Sequence, residues 1–166
     1  MLQTTVFGIE VQEFVAAAAV FVIVYLALWL VLMFFLFRLK KIAEKTPSMT
    51  DDAIIDALIE IKWPAYFFVS FYAAINIVAV PQFLLDFARI ATLATILFYA
   101  VRVLQKLLAH FTDEYIGRQP EARKQDPSII LFASRFASYT LWLLAFLVVF
   151  ENAGFDINAL IAGLGV

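Results

Sequence analysis

Phe14 to Phe37 reads FVAAAAVFVIVYLALWLVLMFFLF, 24 residues without a single charged side chain. As a helix this run is about 36 Å long, more than the roughly 30 Å of a bilayer's hydrocarbon core. It is too long for the apolar core of a signal peptide, which is roughly 7–15 residues. Its flanks are also wrong for one: residues 1–13 carry Glu10 and Glu13 but no Lys or Arg, and the basic residues Arg38, Lys40, Lys41 and Lys45 come after it. The run reads as a retained membrane span. Composition agrees, with 64% hydrophobic and 16% charged residues against a soluble norm of roughly 45–50% and 25%.

Working outward, three more apolar stretches follow. Together they predict an all-α, polytopic membrane helix bundle forming one transmembrane domain over residues 1–166. Its full transmembrane helices are four, at about 14–37, 61–80, 83–104 and 128–150, and a fifth begins at 156–166. Pro81-Gln82 is a tight connection in which proline ends the preceding helix. Between the fourth and fifth helices, Gly154 suits a helix C-terminus and Asp156 the next N-cap.

Basic residues test this topology. With the N-terminus outside, Arg38, Lys40, Lys41, Lys45, Lys62, Arg102, Lys106, Arg118, Arg123, Lys124 and Arg135 fall inside or at inner span ends, and only Arg89 lies toward the outer side. Eleven of twelve therefore obey the positive-inside rule. Residues 38–50 and 117–127 become cytoplasmic loops. An amphipathic interfacial helix is expected at 51–60, where Asp52, Asp56 and Glu60 form one acidic stripe. The third span should run on as an amphipathic tail to Ile116. Both segments read as shields for hydrophobic surface at the interface, or as places to sense or bind a partner.

Ionisable residues at membrane depth are the first candidates for function, because a mid-bilayer charge costs about 2.5–3.5 kcal/mol even on the lenient insertion scale. Asp86 and Arg89, three apart near the start of the third span, form an expected outer-side ion pair, with Glu151 as another structural contact. Arg135 is an inner-leaflet lipid or snorkelling contact, with an interhelix ion pair or an ion pathway as other readings. Asn76 reads as a bond to a neighbouring helix, and His110 as an exposed interfacial residue. No cysteine is present and His110 is alone, so neither a metal nor a cofactor site is expected. No nucleophile–base spacing or phosphate loop points to an enzyme. The scattered basic residues give nucleic-acid binding no support.

Small residues gather at the end of the chain. Ala159 and Gly163 are spaced i, i+4, and Ala162 and Gly165 i, i+3 on a nearby face, a pattern that lets helix backbones approach closely in lipid. The stretch Leu141 to Val166, LWLLAFLVVFENAGFDINALIAGLGV, resembles the small-conductance mechanosensitive (MscS-like) channel family. There the last peripheral helix ends in an N-x-G-x-D style turn, and the pore-lining helix opens with an LIAGLGV type of sequence. The likeness covers about 26 residues.

The resemblance implies a homo-oligomer, a heptamer, in a bacterial inner membrane with lipids as partners. Ala159, Ala162, Gly163 and Gly165 would be this chain's share of the pore-helix packing seam. It further implies a non-selective pore opened by membrane tension, which releases ions and small solutes during osmotic downshock. The family's constriction and soluble vestibule would lie beyond Val166, so the chain would be cut before the gate. A helical scaffold or accessory subunit without its own pore is the alternative. A secondary transporter would show inverted repeats, and none is visible.

Overall fold

The computed structural model describes residues 5–6, 9–43, 55, 58–117 and 127–164. Among the described residues the chain is helical apart from the connecting turns and a two-residue antiparallel pairing of Thr5–Val6 with Ile9–Glu10. The helices are α1 (Val11–Ala43), α2 (Trp63–Ile75), α3 (Gln82–Gly117), α4 (Pro127–Asn152) and α5 (Ile157–Leu164). Three of them, α1, α3 and α4, are long and apolar enough to cross a membrane. They mark the chain as a membrane protein.

Two expected spans grow at their ends. The first reaches Ala43, so residues 38–43 of the expected loop are helical, with Lys40 and Lys41 in the last turn where cations favour the helix dipole. The third runs unbroken to Gly117, about 54 Å, and carries the amphipathic tail with it. The remaining loop residues 44–50 and 118–126, and most of the expected helix 51–60, lie outside the described residues. Within that segment Leu58 and Ile59 are helical and Glu60 sits in a turn.

The second span is shorter than its apolar run. Instead of 61–80, α2 covers 13 residues, about 20 Å. It opens with Pro64, whose fixed φ and missing N–H suit a first turn. It closes at Asn76, whose side-chain amide bonds the Tyr72 carbonyl of the same helix rather than a neighbour. Beyond it Ile77 and Val78 make tighter i−3 bonds to Ala74 and Ile75. Apolarity extends to Val80, but the β-branched Ile77, Val78 and Val80 have poor helix propensity. Pro81 therefore does not end α2. Its carbonyl receives the Leu84 N–H at 3.0 Å and opens α3.

Each helix packs on its neighbour in sequence: α1 on α2, α2 on α3, α3 on α4. The contacts are inside-out relative to a soluble protein. Eight described residues are buried, namely Ser70, Ala74, Ala88, Thr92, Tyr99, Val101, Thr112 and Ala145, and six of them are Ala, Ser or Thr. The large apolar side chains point away, with Phe83 69% and Phe136 64% exposed, as an apolar solvent permits.

The three joints differ in chemistry. Between α1 and α2, Phe21 meets Phe67 and Tyr25 meets Tyr66 edge-on, at 5.6 and 6.0 Å. Ser70 and Ala74 share that face of α2 by helical spacing. Between α2 and α3 the face of α3 carries Ala88, Thr92, Thr95 and Tyr99 at alternating spacings of four and three. The Thr92 hydroxyl donates to the Phe68 carbonyl at 2.9 Å. Between α3 and α4, Phe98 packs on Trp142 at 5.5 Å. The hydroxyls of Thr95, Thr112 and Thr140 bond back within their own helices, to the carbonyls of Ala91, Leu108 and Phe136, whereas the buried Ser70 hydroxyl has no hydrogen-bond partner among the described residues.

Ala88 has no exposed surface, so a larger side chain there must push α2 away. Ala88→Leu should cost about 1–3 kcal/mol by overpacking. Thr92→Val should cost less, about 0.6 kcal/mol as for typical interhelix hydrogen bonds in membranes. Equilibrium unfolding in mixed micelles measures both, and an Ala88→Leu variant as stable as the parent would contradict the joint.

Candidate functional site

The polar chemistry concentrates at two places along α3, one about two turns from its start and one just past its middle. The first is the corner between α4 and α5. Gly154 has φ +91°, in the left-handed region that glycine enters without a Cβ clash. Its N–H reaches the Glu151 carbonyl at 3.0 Å, and the Phe155 N–H reaches the Phe150 carbonyl at 3.1 Å. This crossed pair, with rings of Phe150 and Phe155 at 4.9 Å, is a Schellman turn with its accompanying apolar contact. Asp156 then caps α5: its Oδ1 accepts from the backbone N–H groups of Asn158 and Ala159 at 2.9 and 3.3 Å. Helix stop and helix start fall two residues apart, so the direction of α5 is set by a short, fully bonded turn.

Arg89 reaches this corner. Its Nη2 donates to the carbonyl of Asn152, the last residue of α4, at 3.2 Å, where the helix dipole concentrates negative charge. Asp86 accepts a long contact from Gln82 Nε2 at 3.4 Å. The expected Asp86–Arg89 pair is thus replaced by two separate contacts. A free carbonyl at a helix C-terminus offers the guanidinium a partner on another helix, in place of a carboxylate one turn back on its own.

The second place gathers Glu60, Arg102 and Lys106. The Glu60 carboxylate meets Arg102 Nη2 at 2.7 Å and Lys106 Nζ at 3.0 Å. Arg102 and Lys106 are four apart and continue the α2-facing stripe of α3. Hydrogen bonds from Lys106 and then Arg102 hold the Glu60 carboxyl below the ordinary carboxylate range. The sequence reading placed Glu60 in an acidic stripe and the two cations among topology signals. The pattern that could have joined them was a basic i, i+4 pair on a helix whose neighbour brings one acid to the same end.

The other predicted residues bring no side chain to either place, although the Ala159 backbone N–H joins the Asp156 cap. Arg135 is exposed on α4, about 12 Å from the start of the helix. Ala159, Ala162 and Gly163 are exposed on α5, and a Cβ added at Gly163 would meet nothing within 4 Å. Gly165 lies outside the described residues. His110 is half-buried rather than exposed, and its Nε2 has no hydrogen-bond partner among the described residues. Among the described residues no three metal-ligating side chains come together. Comparison with known proteins found no matching family, no similar curated protein and no similar solved structure.

The Glu60 cluster sets a pH dependence. Because its folded pKa is depressed, its stabilising contribution is present above the ordinary carboxylate pKa and is lost as the pH falls through the folded value. Thermal unfolding of the parent and of Glu60→Gln should therefore differ at neutral pH and converge as the pH falls below the depressed folded-state value. A gap between the two that stays constant down to that pH would contradict the pairing.

Proposed function

We propose that the chain is the membrane-tension-sensing transmembrane portion of a mechanosensitive ion channel. The observation that carries this reading is the α4–α5 corner. A Schellman turn at Gly154 and the Asp156 cap deliver a helix whose small residues Ala159, Ala162 and Gly163 face open space. Those are the residues on which the likeness to the small-conductance channel family rests. In this reading α5 begins the pore-lining helix, and its small face packs against the same face of the next subunit in a heptamer.

The peripheral helices are then the sensor. α2, with the chain through Val80, makes up the second of four spans. Val78 and Val80 support this, since they share an apolar groove with Phe14, Ala17, Ala18 and Phe21 of α1. The N-terminus lies outside and the Glu60 cluster on the inner side of a bacterial inner membrane. At about 50 and 54 Å, α1 and α3 are longer than the roughly 30 Å core, and such helices accommodate by tilting. Tension thins the bilayer and favours the state of larger in-plane area. Tilt of the sensor helices moves α4, the corner and the pore helix, and an apolar constriction wets.

Expressed from its complete reading frame and patched in giant spheroplasts lacking other such channels, the protein should give currents under suction with little preference among ions. Silence up to the tension that ruptures the patch would leave the scaffold reading instead. Gly163→Leu should shift the assembly toward smaller species on a native gel. An unchanged band would count against the small-residue seam.

A further inference from the structure

We propose that Arg89 is a positioning residue that makes the α4–α5 corner follow α3. α3 and α4 are joined by packing at Phe98 and Trp142, nine residues and about 13 Å along α3 from Arg89. Between that contact and the corner the joint is open along one side. A groove of about 300 Å³ runs there, lined by Ala94, Leu97 and Phe98 of α3 and by Trp142, Phe146 and Phe150 among others of α4. Arg89 bridges the far end of this groove through its bond to the Asn152 carbonyl.

The place of that bond gives it leverage. Asn152 is the last residue of α4, two before Gly154 and four before the Asp156 cap. Phe150, which walls the groove, is also the residue whose carbonyl and ring close the Schellman turn with Phe155. A swing of the last turns of α4 about the Phe98–Trp142 contact widens or narrows the far end of this groove. It cannot do so without pulling on the Asn152 carbonyl or losing it. The donor is a full charge and the acceptor is a carbonyl at the negative end of the α4 dipole, so the bond resists although both groups are exposed. The corner and α5 therefore move with α3. The inference concerns only this coupling and stands whether or not the chain belongs to a channel.

The chain has no cysteine, so spin labels can be placed at will. One label at Ile96 on α3 and one at Asn158 on α5, both exposed, report the α3–α5 distance in lipid nanodiscs after dilution with unlabelled chain. A second pair, at Ile96 and Leu143, reports α3 against α4 beside the Phe98–Trp142 end of the groove. Arg89→Met keeps an apolar stem and removes the donor. It should raise the share of displaced α3–α5 distances about tenfold, the effect of one charge-assisted hydrogen bond, and leave the α3–α4 distances as they were. Arg89→Lys, which restores a cationic donor, should recover most of the narrow distribution, which a role in packing alone would not require. Two results would overturn the proposal: an α3–α5 distribution in Arg89→Met as narrow as the parent's, or both distances broadening together.

Discussion

Within a bilayer an apolar side chain gains nothing by leaving lipid for another apolar side chain, so helices hold together only where backbones come close or polar groups meet. The rest of this structure depends on that constraint. Small residues occupy the contacts: Ser70 and Ala74 on α2, Ala88 and Thr92 on α3, Ala145 on α4. Phenylalanines that would fill the core of a soluble protein face outward instead. Where α2 meets α3, the Thr92 hydroxyl adds a directed bond to a backbone carbonyl.

From these joints α3 emerges as the central rod. One of its faces receives α2 along Ala88, Thr92, Thr95 and Tyr99, and continues into the two cations that hold Glu60. Toward the corner end, Arg89 reaches across a groove to the last carbonyl of α4. The apolar Phe98–Trp142 contact falls between these two polar ties, nine residues after Arg89 and about one turn before Arg102. Arg102 and Lys106 follow the apolar run of α3, where snorkelling lowers the cost of a charge.

Much of the fold was legible in the sequence, because length and apolarity alone decide a span such as Phe14 to Phe37. The corner was legible too. Gly154 and Asp156 have conformational and capping roles that few other residues fill, and both take them here. The end of α2 was not legible. Hydropathy runs on to Val80, while the β-branched residues after Asn76 leave the helix. Partners across helices were the hardest to read. Spacing shows that Asp86 and Arg89 share a turn, but not that the guanidinium finds a better acceptor at the end of α4. Likewise the sequence placed Glu60 and the pair Arg102 and Lys106 at one side of the membrane without showing that they meet. The small residues that form contacts within the chain drew no notice beside the denser cluster from Ala159 to Gly165.

The central claim is that α3 is enclosed along two faces, by α2 at Ala88 and Thr92 and by α4 near Phe98, and is bare to lipid elsewhere. A spin-label accessibility scan along residues 83–104, with oxygen as the lipid-soluble quencher and a nickel chelate as the water-soluble one, tests it most directly. Oxygen access should rise and fall along the helix, with minima at 88, 92, 99 and 101, maxima near Phe83 and Phe87, and little access for nickel through the middle. A flat oxygen profile, or strong nickel access across the middle, would contradict it.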